Sequence, residues 1–241
     1  MLTRAARQSS GRLLLTACTL AFAWGCGGGD IASELRMRPR PNPLPAPGAA
    51  GLVLPAQRTF SIALSSSQQS PGLGGRATAD AAADRAGSAR ASAAVGTSGQ
   101  AWGEFQLGHE LRNDGDQTLM MKVAASFDYA ARLSINPDEQ RLPDGKVYLR
   151  LYVRDARGAI RRTDELVSET TEDGDFDARG RLTVTFAAEV APGGVYDVFL
   201  AGRVEAALPG RPAAEPLDVE AAIELSNVTM QITTSPLGAA D

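Results

Sequence analysis

The sequence predicts an all-β fold: an antiparallel two-sheet sandwich of about seven strands over residues 101–235, preceded by a signal peptide and a disordered linker. Three observations predict it. From Ala101 onward, large apolar residues recur at a period of two, the spacing that sends alternate side chains to opposite faces of a strand. Clusters of Asn, Asp, Gly and Pro break those runs at short intervals. No stretch of that region has the 3.6-residue apolar spacing of a packed helix. Several short strands with turns between them and no helix to cover a sheet bury their apolar faces against each other, which is a sandwich.

The chain begins with Arg4, Arg7 and Arg12, followed by an apolar run from Leu13 to Gly25. That order is the positive n-region and apolar h-region of a secretory signal. The run is too short to cross a bilayer, which needs about 20 residues. Cys26 then precedes Gly27, Gly28, Gly29 and Asp30. Gly25-Cys26 after this leader resembles the lipobox of bacterial lipoproteins, and the resemblance implies cleavage before Cys26 and its lipidation. Ala23 and Trp24 depart from the usual lipobox residues. Leu15-Thr16-Ala17-Cys18 fits the local pattern better, but it leaves only Leu13 to Ala17 as apolar core, too short for an h-region. Gly27 rather than Asp after the cysteine resembles outer-membrane sorting. The expectation is an exported protein tethered to the membrane through its lipid, on the periplasmic or surface side. Both cysteines lie in this segment, so the sandwich holds no disulfide, no thiol nucleophile and no thiolate zinc site.

Residues 26–100 read as a tether. Arg36 to Pro47 alternates proline with other residues, which favours extended polyproline geometry and a semi-rigid spacer. Residues 58–64 contain Phe60, Ile62 and Leu64 at alternate positions and could form one short strand. Ser65 to Gly99 has almost no large apolar side chain, so disorder is expected there, with transient helix over Ala79 to Ala94.

The seven strands follow in order. Phe105, Leu107, His109 and Leu111 share one face and end at the turn Asn113-Asp114-Gly115-Asp116. Leu119 to Ile135 places apolar residues at every odd position, with Lys122, Ser126, Asp128 and Arg132 opposite. Val147, Leu149, Leu151 and Val153 point inward while Tyr148, Arg150, Tyr152 and Arg154 point outward. Ile160 to Val167 is a weaker strand, and Leu182 to Val190 a stronger one. Tyr196, Val198, Leu200 and Val204 form the sixth row. Val219 to Leu225 uses odd positions and Val228 to Ile232 even ones, so a bulge is expected at Ser226-Asn227. Residues 236–241 form a tail. The run Val190 to Val198, with Pro192-Gly193-Gly194 before Tyr196, resembles the tyrosine-bearing corner of immunoglobulin-like and fibronectin type III domains. It implies sandwich architecture and nothing about ligand.

Charge and chemistry narrow the function. Residues 101–241 contain fourteen basic against twenty-four acidic residues, a charge of −10, which repels phosphate backbones and excludes nucleic acid as a partner. Seven acids lie between Asp164 and Asp177 with no base among them. Asp173, Asp175 and Asp177 alternate and are the candidate metal ligands, for calcium, which takes oxygen donors. Ala178 and Val184 stand where an EF-hand loop beginning at Asp173 needs Gly and Glu, so that loop type is excluded. The plainer reading of these acids is a solvated hairpin that guards a sheet edge. His109 is the single histidine, on an apolar face, and reads as a packed residue. No Gly-x-Ser-x-Gly turn is present, and no catalytic residues are expected. Tyr148, Arg150, Tyr152 and Arg154 are residue types rich at recognition surfaces, although a sheet face also uses such residues simply to cover itself. The expectation is a lipid-anchored envelope protein whose sandwich binds a protein or glycan, or serves structurally, without being an enzyme and without a cofactor. The alternative is a calcium-dependent carbohydrate-binding or adhesion module.

Overall fold

A computed structural model describes residues 41–135, 143–208 and 218–238, so the leader, Cys26 and Arg36 to Arg40 lie outside the described residues. Twelve strands form there: β1 (Asn42–Pro43), β2 (Leu52–Leu54), β3 (Ile62–Pro71), β4 (Arg76–Asp84), β5 (Ser88–Gly96), β6 (Gly99–Arg112), β7 (Leu119–Ile135), β8 (Asp144–Asp155), β9 (Ile160–Thr170), β10 (Phe176–Val190), β11 (Val195–Leu208) and β12 (Asp218–Pro236). The seven expected strands are β6 to β12. The count rises because the chain before Ala101 also folds into sheet.

The first sheet runs β3-β6-β11-β8-β9, with β1 beside the end of β6; the second runs β4-β5-β12-β7-β10, with β2 beside β12. Every pairing is antiparallel except β1 with β6. The eight strands from β5 to β12 pair as nested couples: β8 with β9, β7 with β10, β6 with β11 and β5 with β12. Successive couples alternate between the two sheets. One long antiparallel ribbon has thus rolled over itself, which is jelly-roll topology rather than the strand order of an immunoglobulin sandwich. The Ala191 N–H donates to the Tyr196 hydroxyl at 2.8 Å, and Tyr196 is buried.

The period-two rows form the core. Phe105, Leu107 and Leu111 of β6, Met121, Val123 and Phe127 of β7, Leu149 and Leu151 of β8, and Val198 and Leu200 of β11 are at most 1 % exposed. The expected bulge is present, with the β7–β12 register shifting between Ser226 and Thr229. Its cause is a change of neighbour. The other edge of β12 pairs with β5 up to Leu225 and with β2 from Met230. Between them, Val228 N–H donates to the carbonyl of Gly87 in the β4–β5 turn.

Two expectations about residues 26–100 are overturned. Ser65 to Gly99 is not disordered, and Ala79 to Ala94 is not helical: β3, β4 and β5 occupy the segment. The alternation is present but written in alanine. Ala89, Ala91 and Ala93 are buried, and Ala77, Ala79, Ala81 and Ala83 pack against the core, while Arg76, Thr78, Asp80 and Arg90 are exposed. Small side chains are needed because the sheets come close here. A Cβ on Gly103 of β6 would lie 2.7 Å from the Asp80 carbonyl oxygen and 3.4 Å from the Ala91 Cβ. Facing sheets usually stand ~10 Å apart; backbone this near leaves room for alanine and glycine only. The second correction concerns the spacer. Asn42 and Pro43 pair with β6, Leu44 N–H donates to the Arg112 carbonyl, and Thr234 donates to the Pro45 carbonyl at 2.6 Å. From Asn42 onward the proline-rich run is docked on the sandwich.

Candidate binding face on the first sheet

Strands β8 and β11 lie side by side in the middle of the first sheet. Their inward residues enter the core, so the alternation forces Tyr148, Arg150, Tyr152 and Arg154 of β8 and Asp197, Phe199, Ala201, Arg203 and Glu205 of β11 to the outer face. The register matches them in complementary rows: Arg154 opposite Asp197, Tyr152 opposite Phe199, Arg150 opposite Ala201, Tyr148 opposite Arg203 and Lys146 opposite Glu205. On the other side of β11, Gln106 stands opposite Ala201 and Glu104 opposite Arg203.

These rows are in contact. Tyr152 stacks on Phe199 with ring centroids 5.2 Å apart, and the Arg154 guanidinium lies 4.8 Å from the Phe199 centroid. Arg150 lies over Tyr148 at 5.1 Å, and Arg203 over Trp102 at 5.3 Å. Cations over aromatic faces are attracted by the ring quadrupole. Each guanidinium is also held by a carboxylate: Arg150 by Glu165 at 2.7 Å, Arg154 by Asp197 at 2.8 Å, and Arg203 by Glu205 at 2.6 Å and Glu104 at 3.4 Å. The Tyr152 hydroxyl and the Glu165 carboxylate hold Arg150 above its usual pKa. Because Ala201 is small, a groove of about 400 Å³ opens over it, walled by Glu104, Gln106, Tyr148, Arg150 and Phe199.

Of the residues the sequence singles out, Tyr148, Arg150, Tyr152 and Arg154 therefore converge on one feature, and the cover-and-pair role coexists with a groove. Trp102 sits on the same face, half-buried beneath Arg203. Phe199, Ala201, Arg203, Glu104 and Gln106 complete the groove. The signal for Phe199 was its outward parity between Val198 and Leu200, an aromatic where a strand with one wet face should be polar.

The acidic segment does not stay a loop. Asp164, Glu165 and Glu169 lie in β9, Thr171–Asp173 forms a short 3-10 turn, and Asp177 lies in β10. Asp175 accepts the Ile135 N–H at 2.8 Å, Asp177 pairs with Arg179 at 3.5 Å, and Asp164 pairs with Arg162 at 3.0 Å. The side chain of Asp173 lies outside the described residues. Among the described residues, no group of three or more His, Cys, Asp or Glu side chains is gathered to hold a metal.

His109 is 1 % exposed on the inner face of β6. Its Nε2 lies 2.7 Å from the Asn42 amide nitrogen, Ser61 N–H donates to Nδ1 at 3.2 Å, and Arg58 hydrogen-bonds the Asn42 carbonyl. Burial, with the nearby Arg58 cation, pushes its pKa down to about 4. In the unfolded chain that pKa is about 6.5. Above 6.5 neither state binds the proton; between 6.5 and 4 only the unfolded chain does. Stability should therefore fall as pH drops through that window, by up to about 3 kcal/mol from this group. Urea midpoints measured from pH 7 to pH 4 check this, and the His109→Gln chain should show a shallower slope over the same range.

Comparison with protein-family models finds no match, and comparison with curated proteins finds none. Geometry and chemistry alone speak for the site: a jelly-roll sandwich with an aromatic, charge-paired groove on the outer face of one sheet.

Proposed function

We propose that the chain is a lipid-anchored protein of the bacterial cell envelope, held through Cys26, whose sandwich is a non-enzymatic binding module that meets its partner with the outer face of the first sheet. The observation that carries the binding reading is the cross-strand-matched Tyr–Arg face around a groove of about 400 Å³, within the ~300–1,000 Å³ range of small-ligand sites. Packing and ion pairs fix its side chains before any ligand arrives, which lowers the ordering cost of binding.

The leader and Cys26 support the anchor. The first described strand starts at Asn42, so at most fifteen residues, rather than about seventy-five, lie between Cys26 and the sandwich. Fully extended, such a segment spans at most about 50 Å, so the face works close to the membrane it is tied to.

Photo-crosslinking in cells tests both halves. A photoreactive residue at 148 should yield discrete adducts in the membrane fraction, and one at Thr183, exposed on the second sheet, should not. Cys26→Ser should move the protein to the soluble fraction. Equal adduct patterns at both positions would remove the first sheet from its assigned role, and a membrane-bound Cys26→Ser chain would remove the anchor.

A further inference from the structure

We infer that the groove takes a neutral polyhydroxylated ligand, a glycan segment free of phosphate, sulfate and carboxylate, and takes it without a metal ion. This rests on the binding reading above and names the ligand class. The charges at the groove decide the sign. Arg150 donates through Nε and Nη2 to Glu165 at 3.0 and 2.7 Å, and Arg154 through the same atoms to Asp197 at 3.3 and 2.8 Å. Arg203 is shared between Glu205 and Glu104. Three guanidiniums thus face four carboxylates, all in ion pairs. An anionic ligand would have to displace a fork-shaped pair that already has good geometry, on a domain whose net charge opposes it. A cation would have to strip the same carboxylates from their guanidinium partners.

A ligand built of hydroxyl groups needs neither exchange. Each hydroxyl donates and accepts, and the paired groups keep capacity for both. A guanidinium has five N–H donors and a carboxylate about four acceptor sites, of which the ion pairs use a part. Gln106 adds an amide with both functions beside Ala201 and makes no side-chain hydrogen bond among the described residues. The rings of Tyr148 and Tyr152 supply flat apolar surface next to these groups, the combination that C–H-bearing faces of a sugar ring require. The Ala201 floor leaves the depth. A protein partner would use the same residue types, but a stable interface buries about 800 Å² per partner around an apolar centre, whereas this groove encloses about 400 Å³ and is bordered by the ion-paired Arg150, Arg154 and Arg203.

The test is a glycan array probed with the whole mature chain in detergent and EDTA, with neutral oligosaccharides, polygalacturonate and sulfated polysaccharide as separate arms, followed by titration calorimetry on the hits. Neutral oligosaccharides should bind, and the signal should survive EDTA. Tyr148→Ala should weaken the best hit at least tenfold. Gln106→Ala, which removes no side-chain hydrogen bond among the described residues, should weaken it severalfold with an unchanged melting temperature, so that loss of binding is not loss of fold. Binding confined to the anionic arms, or abolished by EDTA, overturns the inference. So does an empty neutral arm: with protein adducts at position 148 it leaves the binding face standing, and without them it removes that face as well.

Discussion

Asn113→Asp is expected to destabilise the sandwich by about 3–5 kcal/mol at neutral pH, and Asn113→Ala by about 2–3 kcal/mol. Asn113 is 1 % exposed in the turn between β6 and β7. Its Nδ2 donates to the carbonyls of Gln117 at 2.9 Å and Val190 at 3.1 Å, and its Oδ1 accepts the Gly115 N–H at 3.1 Å. Its backbone closes the remaining gap, accepting from Gly193 and donating to Gly194 in the β10–β11 turn. One residue therefore ties together the two turns at that end of the roll. Alanine takes away the side-chain donor that reaches the buried Val190 carbonyl, while water can replace the bonds at the exposed Gly115 and Gln117. Aspartate is worse, since it turns a double donor into a charge facing two carbonyl oxygens. Lowering the pH should protonate that carboxylate and recover part of the loss, so urea midpoints of the Asp variant should approach those of the Ala variant in acid. Equal midpoints at neutral pH would mean that the side chain is solvated.

Phe105 and Gly202 make the second case. They are direct cross-strand neighbours on β6 and β11, and the Phe105 ring, 1 % exposed, lies over Gly202 where a Cβ would overlap it. An aromatic ring covering a strand glycine shields the backbone that glycine leaves bare. Phe105→Ala should cost about 3–5 kcal/mol through lost burial and the cavity that remains. Gly202→Ala should cost about 1–3 kcal/mol through overpacking against a ring that cannot move aside. In the Phe105→Leu background the Gly202→Ala cost should shrink, because the two sites share one space and their effects do not add. Urea denaturation of the four chains measures the coupling; strict additivity would mean the ring is free to shift.

How far the sequence could be read follows from what each stretch buries. In β6 to β8 and β10 to β12 the inward row is mostly Phe, Leu, Val, Met and Ile, and period two marks those strands and the bulge beside Asn227, while β9, with Val167 its one buried residue, is marked only weakly. In β4 and β5 the inward row is alanine, because Gly103 and its neighbours bring the two sheets close. A search for large apolar side chains passes over that alternation. The nested order was not readable either. It pairs β5 with β12, which are more than a hundred residues apart, and local pattern carries no record of which distant edge a strand meets. At the binding face, parity exposed Tyr148, Arg150, Tyr152 and Arg154, but their partners Asp197, Phe199 and Arg203 follow from register, which only the folded sheet supplies.

Amide hydrogen exchange of the mature chain, read strand by strand, bears most directly on the nested roll that carries this face. Amides of β4 and β5 paired with each other and with β12 should exchange as slowly as those of Leu151 and Leu200, through one global opening. Exchange of residues 76–96 at the rate of an unfolded chain, beside a protected β6 to β12, would contradict it.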